Sequence, residues 1–210
     1  MRTLLSIALC LIAAACAGPG SGRATPWHVL FDGESLEGWE SINYGGEGEV
    51  SIGLGGALLP RGAVLTGIRY PAGLPRTTGY ELEVVSRRLA GNDFFCGLTF
   101  PVADSFATVV LGGWGGGLSG LSCLDGDDAS MNETKRIRSF EDDRDYNLIV
   151  RVEPERIRAW IDRQLLFDVS TAGRVVGLRN EMLPSVPLGI SAYVTPAQVS
   201  RVRWRPLAED

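Results

Sequence analysis

Residues 145–162 read DYNLIVRVEPERIRAWID, and their pattern decides the fold. One set of alternating positions is apolar throughout, namely Tyr146, Leu148, Val150, Val152, Ile157, Ala159 and Ile161. The intervening positions are mixed and include Arg151, Arg158 and Trp160. An apolar residue at every second position is typical of a β-strand with one buried face. The stretch therefore predicts two consecutive strands that bury one face of a sheet.

The same period recurs along most of the chain, for example at 79–89, which reads GYELEVVSRRL. Short apolar runs alternate with turn signals, in keeping with 27 glycines and 11 prolines. Roughly a dozen short strands with turns between them indicate an all-β sandwich or barrel. Only 134–144 and 175–182 could hold a helical turn or two. No internal repeat is visible, and we expect a single domain.

The first residues resemble a bacterial secretory signal. Arg2 precedes an apolar run that ends at Ala15 and is shorter than the ~20 residues of a membrane span. We predict a lipoprotein-type signal peptide over 1–15, a flexible tether over 16–26 and the folded domain over 27–208. Small residues before Cys16 predict lipidation of that thiol, and ordinary cleavage near Ala15 with release is the alternative. The protein would then be exported and anchored to a membrane, facing the periplasm or the cell exterior.

Charge and residue types exclude several classes of function. The formal net charge is −5 and no basic stripe occurs, which argues against a nucleic-acid partner and allows a neutral ligand such as a sugar. The single histidine, His28, stands beside the tether, so neither a Ser–His–Asp nor a Cys–His mechanism has a good base. Cys96 and Cys123 could form a disulfide after export or remain two buried thiols.

A second notable stretch runs from Gly112 to Thr134 and reads GGWGGGLSGLSCLDGDDASMNET. Trp114 stands among five glycines, where backbone can approach a ligand closely. The indole could stack on the C–H face of a sugar ring, or it could be a core or edge tryptophan with the glycines as bulges. The acidic turn that follows could bind Ca²⁺ through oxygen ligands, or it could be a solvated turn with a helix cap.

Carboxylates are the candidate acid and base groups, because glycoside cleavage commonly uses two of them. We predict catalytic roles for four residues, Asp125, Asp128, Glu133 and Glu83. We predict substrate binding by six residues, Trp114, Asn132, Arg158, Trp160, Arg179 and Glu181. The alternatives are a solvated strand face for the glutamate and surface ion pairs for the arginines. No metal ligands are assigned, and a divalent cation such as Ca²⁺ remains possible.

Residues 30–39 read LFDGESLEGW, which resembles the opening motif of the 3-keto-disaccharide hydrolase domain family. The resemblance extends over about 29–207, with VSRVRWRPL similar to the closing strand of that family. It implies a concanavalin A-like (laminin-G-like) jelly roll of two antiparallel sheets. It also implies a structural role for the motif, in which Trp39 packs inside the sandwich.

Active members of that family act on sugars oxidised to a ketone at carbon 3. The resemblance implies a base that removes the acidified neighbouring proton, an acid for the leaving group and a cation that steadies the enolate. Two hypotheses follow. The protein is an exported enzyme that hydrolyses or eliminates a glycosidic bond of a keto-glycoside, or it is a non-catalytic carbohydrate-binding sandwich.

Overall fold

The computed structural model describes residues 25–208, and the signal, Cys16 and most of the predicted tether lie outside that range. Within it the chain forms fifteen strands, a helical turn at Gly113–Gly116 and a 3₁₀ helix at Asn180–Ser185. The strands are β1 His28–Phe31, β2 Glu40–Ser41, β3 Ser51–Gly53, β4 Gly56–Leu59, β5 Leu65–Arg69, β6 Tyr80–Arg88, β7 Cys96–Val102, β8 Ser105–Gly112, β9 Leu118–Ser122, β10 Arg136–Ile137, β11 Tyr146–Glu153, β12 Arg156–Ile161, β13 Gln164–Ser170, β14 Gly189–Tyr193 and β15 Ala197–Pro206.

These strands build two antiparallel sheets. The eight-stranded sheet has the order β13-β12-β11-β6-β15-β4-β3, and β1 pairs with β15. The seven-stranded sheet has the order β10-β9-β8-β7-β14-β5-β2. Strands adjacent in space are often distant in sequence, as β6 and β15 are. The all-β, single-domain jelly-roll sandwich predicted from the sequence is confirmed.

The core lies between the two sheets and follows the period-two pattern. Leu148 of β11 stands opposite Val84 of β6 and Ile161 of β12, and all three side chains are fully buried. Leu98 of β7 and Leu121 of β9 enter the same core from the seven-stranded sheet. Burying each such aliphatic side chain contributes about 1.5–3 kcal/mol. The alternate residues of both sheets therefore point outward, on opposite sides of the sandwich.

The opening motif packs into this core as the resemblance implied. Trp39 is buried, and its indole N–H donates to the carbonyl of Leu30 at 2.8 Å. Its ring meets the edge of Phe31, with centroids 6.0 Å apart, and lies 5.3 Å from that of Tyr70. The indole thus joins the first strand to the interior, with its polar atom satisfied.

Two local expectations are revised. Segment 134–144 forms no helical turn but contains β10, because Arg136 and Ile137 pair with Ser119 and Leu118 of β9. The 3₁₀ helix begins only at Asn180, late in segment 175–182.

Within residues 25–208, no helix is long and apolar enough to cross a membrane.

The cysteines of the domain do not pair. Cys96 and Cys123 are both free and buried. Cys96 points into the core from β7, whereas Cys123 follows the end of β9. The structure therefore agrees with two buried thiols and not with a disulfide.

Candidate functional site

A cleft of about 420 Å³ opens on the outer face of the seven-stranded sheet. It is lined by Val64, Leu65, Asp93, Phe94, Thr108, Val110, Trp114, Ser122, Arg179, Glu181, Met182 and Tyr193. Most of these side chains are apolar, and three are charged. Its volume and mixed lining are those of a small-molecule site.

Short side chains form the floor of the cleft. Thr108 and Val110 of β8 face outward between the core residues of that strand, and Ser122 stands opposite Thr108 on β9. The Thr108 hydroxyl is hydrogen-bonded to that of Thr99, with the oxygens 2.9 Å apart. Because these residues are small, a ligand can approach the sheet closely.

Phe94 and Tyr193 form one aromatic wall. Their rings stack with centroids 5.9 Å apart and an interplanar angle of 22°. Phe94 lies over Gly97, where an added Cβ would be 3.0 Å from the Phe94 ring, so a larger residue would require the ring to move by a few tenths of an ångström. Tyr193 is 41% exposed, so its ring is available to a ligand.

Trp114 lines the same cleft from the glycine-rich turn. It is 45% exposed and has φ 49° and ψ 54°, a left-handed conformation that is uncommon for a bulky residue. Gly112 before it has φ 76° and Gly116 after it has φ 96°. Glycine adopts these angles without the penalty of a Cβ, so the cluster allows a turn tight enough to present the indole. Strain of this kind clusters at functional sites.

A charged group borders the aromatic rings. Arg179 donates to Asp128 at 2.6 Å and to Glu181 at 2.5 Å. Although partial burial opposes ionisation of Asp128, hydrogen bonds from Ser130 and Arg179 hold its pKa below the usual value. The hydrogen bond to Glu181 raises the pKa of Arg179, and the negative charges of Glu181 and Asp128 raise it further. Burial acts in the opposite direction but does not outweigh them. The guanidinium therefore stays charged at the cleft margin.

Asp93 is the other carboxylate in the cleft. Its Oδ1 accepts the backbone N–H of Phe94 at 2.8 Å, and its own backbone N–H donates to Thr195. Among residues 25–208, no group hydrogen-bonds to its Oδ2. The cleft thus contains one carboxylate with an unused oxygen and one that is paired with Arg179.

The acidic turn lies beside this cleft rather than in it. Arg174 binds both Asp125 and Glu133, the latter at 2.7 Å. The backbone N–H of Val175 and the Arg174 side chain lower the pKa of Asp125, and Arg174 also lowers that of Glu133. In the described part of the chain, no three His, Cys, Asp or Glu side chains gather as metal ligands do. Arginine occupies the carboxylates that suggested a Ca²⁺ site.

Asn132 holds the loop together from inside. Its amide donates to the carbonyls of Leu121, Asp127 and Asp128 at 2.8, 3.1 and 3.0 Å. Its side-chain oxygen accepts from Thr134. The side chain is 8% exposed and its hydrogen-bonding groups are occupied, so its role here is structural.

The remaining predicted site residues lie on the other side of the sandwich. Glu83 is 2% exposed on the outer face of the eight-stranded sheet and binds Arg201 and Arg203. Arg158 is paired with Glu153, and the guanidinium of Arg158 lies 5.8 Å from the ring of Trp160. Sequence periodicity correctly placed these residues on one outward face, but the sandwich separates that face from the cleft.

Of the ten residues predicted for the site, the structure places Trp114, Arg179 and Glu181 in the cleft, and the sequence did not single out Phe94 or Tyr193. The doublet Phe94-Phe95 contained a signal, because adjacent residues of an extended chain point to opposite sides. Phe95 is fully buried in the core, which leaves Phe94 for the outside. Tyr193 ends its strand and gives no comparable signal.

No protein-family model matches the chain, and no curated protein matches it in sequence. Solved structures match its fold. A Crh5 transglycosylase in complex with NAG is 13% identical, with a TM-score of 0.58 over 87% of this chain and 84% of that one. The carbohydrate-binding module CBM66 from Bacillus subtilis is 14% identical, with a TM-score of 0.50 over 79% of this chain and 93% of that one. The VIP36 exoplasmic/lumenal domain in its Ca²⁺/Man3GlcNAc-bound form is 14% identical, with a TM-score of 0.54 over 87% of this chain and 90% of that one. At these identities the likeness shows the jelly-roll fold alone.

Proposed function

We propose that the protein binds carbohydrate in the cleft on the seven-stranded sheet. The observation that carries the proposal is the convergence of Phe94, Trp114 and Tyr193 on one concavity with charged side chains at its margin. Aromatic faces complement the apolar C–H faces of sugar rings, while the charged groups can bind hydroxyls. The three proteins of similar fold named above support carbohydrate as the ligand class. One is a transglycosylase in complex with NAG, one is a carbohydrate-binding module, and one is a domain with Man3GlcNAc bound.

A glycan panel with Trp114→Ala and Trp160→Ala tests this proposal. The two tryptophans lie on opposite sides of the sandwich, so Trp160→Ala is a matched control for the loss of an indole. We expect binding of at least one glycan that Trp114→Ala weakens and Trp160→Ala leaves unchanged. Melting temperatures of both variants would show that each has folded. Absence of glycan binding, or equal losses in the two variants, would contradict the proposal.

Cleavage of a keto-glycoside is the second candidate, favoured by Asp93 and Arg179 in the same cleft. The unused Oδ2 of Asp93 could take the proton beside the ketone, and the Arg179 cation could stabilise the enolate oxygen. The glycosidic oxygen would then leave with the proton that Asp93 had taken, which returns Asp93 to its carboxylate form, and water would add across the carbon–carbon double bond of the unsaturated sugar. The opening motif LFDGESLEGW, similar to that of 3-keto-disaccharide hydrolases, supports this chemistry.

Incubation with a 3-keto-glucoside separates the two candidates. For an enzyme, we expect product formation that falls by about 10²–10⁴ in Asp93→Asn, with substrate binding retained. Measurable binding without product, with and without added divalent metal ions, would leave the protein a binding module.

We also propose export and lipid anchoring through Cys16, supported by the sequence of the first sixteen residues. One acyl chain binds membranes only marginally, so stable anchoring would need more than one. The wild-type chain should fractionate with membranes and incorporate labelled fatty acid, whereas Cys16→Ser should do neither. Release of unlabelled wild-type protein into the soluble fraction would instead indicate ordinary cleavage near Ala15.

A further inference from the structure

A second groove, of about 480 Å³, lies on the other side of the Trp114 turn. It is lined by Arg88, Gly91, Asn92, Gly115, Gly116, Gly117, Ile137, Arg138, Ser139 and Phe140. The groove is a separate site from the aromatic cleft, since no residue of the described chain lines both.

The groove and the cleft are nevertheless adjacent. Trp114 lines the cleft while Gly115 lines the groove, and Asp93 lines the cleft while Asn92 lines the groove. The two segments also touch, because a Cβ added to Gly116 would lie 3.3 Å from the Asn92 carbonyl oxygen. The wall between the two sites is therefore a thin ridge of loop backbone, and one extended ligand could cross it.

The charge of the groove differs from that of the whole protein. Among residues 25–208, two arginines line it and no carboxylate does, although the chain has a net charge of −5. Arg88 is bound to Asp142 and to the Phe140 carbonyl. Arg138 lies over the rings of Phe140 and Tyr146, at 5.2 and 5.8 Å from their centroids, and no carboxylate of the described chain pairs with it. The Arg138 guanidinium is thus a cation available to a ligand.

The position of Arg138 is fixed by its surroundings. Its backbone N–H donates to the Gly117 carbonyl at 2.9 Å, which attaches it to the ridge. Two further polar side chains in the groove, those of Asn92 and Ser139, make no hydrogen bond within residues 25–208. The groove therefore offers one cation and two free hydrogen-bonding groups beside a site lined by aromatic rings.

We infer that this groove binds an acidic unit of the same glycan chain whose neighbouring sugar stacks on Trp114. The inference rests on the proposed carbohydrate-binding function and specifies its ligand as an acidic oligosaccharide. Arginine suits the role because its planar fork can donate two hydrogen bonds to a carboxylate or a sulfate. Uronate and sulfate share this chemistry, so both belong in the test.

Calorimetry with three length-matched probes tests the inference: cellotetraose, a glucuronate-bearing glucan tetrasaccharide and its sulfated counterpart. We expect one acidic probe to bind about tenfold more tightly than cellotetraose. Arg138→Gln should abolish that advantage without changing cellotetraose binding, and salt should weaken it. Arg136→Gln is the matched control, since Arg136 is exposed nearby and, in the described part of the chain, its guanidinium binds two backbone carbonyls and no side chain.

Arg138 packs on two rings, so its variants need a check on folding. Arg138→Lys keeps the charge and should retain part of the preference for the acidic probe, and the melting temperature of each variant shows that the domain is intact. Equal affinity for acidic and neutral probes, or equal effects of Arg138→Gln and Arg136→Gln, would overturn the inference while leaving Trp114-dependent binding in place. Acidic binding that depends on Arg138 but not on Trp114 would instead overturn the proposed cleft. Failure of every probe to bind would count against both.

Discussion

The backbone N–H of Tyr193 donates to the carbonyl of Phe94 at 3.0 Å, and the rings of the same two residues stack. The end of β14 is thereby joined to the segment that leads into β7. Because backbone and side chains act together, the stack presents a fixed aromatic surface rather than a mobile tyrosine. Such rigid aromatic surface loses little conformational entropy when a ligand binds.

Tyr193→Ala should weaken glycan binding by roughly two- to tenfold, the range expected for one aromatic contact of about 0.5–1.5 kcal/mol. Tyr193→Phe keeps the ring and should retain most of the affinity. Titration of both variants with the best glycan of the panel measures the difference. If Tyr193→Phe loses as much as Tyr193→Ala, the hydroxyl rather than the ring face is responsible.

Glu83 should matter for stability and not for the ligand. Its carboxylate is almost fully buried and binds two arginines that are themselves partly exposed. Removing one partner of a buried pair is strongly destabilising, and the exposure of the arginines moderates the loss to about 2 kcal/mol. We expect Glu83→Gln to lower the free energy of unfolding by that amount in urea titrations. Glycan affinity should be unchanged, because Glu83 lies across the sandwich from the cleft.

The same carboxylate gives a pH signature. Burial raises the pKa of Glu83, but hydrogen bonds and charge from Arg203 and Arg201 outweigh it and set the pKa below the ordinary 4.5. The folded state therefore binds this proton less readily than the unfolded state. The stabilisation is complete above pH 4.5 and is lost as pH falls through the lowered value. Wild type should lose stability more steeply than Glu83→Gln in that acid range, and parallel profiles would contradict the assignment.

The fold could be predicted from the sequence because burial of one sheet face leaves a period-two signal in strands such as β11 and β12. Tyr146 to Val152 is the clearest case, and the alternation continues in its neighbours. The site was less predictable, because a cleft depends on which strands become neighbours. β7 pairs with β14 across a long stretch of sequence, and that pairing is what brings Phe94 to Tyr193.

Local sequence also could not distinguish a carboxylate in the cleft from one in an ion pair. Asp93 and Asp125 both stand in turns that contain one glycine, yet Asp93 lines the cleft and Asp125 binds Arg174. Arg174 is distant in sequence and reaches Asp125 only after folding. The same applies to Asn132, whose polar side chain suggested ligand contact but instead satisfies buried carbonyls.

Cys96 should be chemically inert in the folded protein. Burial raises the pKa of its thiol to about 12. The thiolate is the reactive form, so alkylation at pH 8 should be negligible until the domain unfolds. Mass spectrometry of the Cys96 peptide after iodoacetamide treatment, with and without urea, measures this. Rapid labelling of native protein would contradict the buried position of the thiol.

Asp125 and Glu133 test whether the acidic turn takes part in chemistry. Arg174 binds both, and the lowered pKa of each carboxyl keeps it ionised near neutral pH, which is unfavourable for a general acid. Exposed ion pairs contribute little to stability. The double variant Asp125→Asn/Glu133→Gln should therefore keep its glycan affinity, its melting temperature and any activity on a 3-keto-glucoside. Asp93→Asn is the comparison, since it changes one carboxylate inside the cleft. Loss of turnover in the double variant with Asp93→Asn unaffected would move the reacting groups from the cleft to the acidic turn.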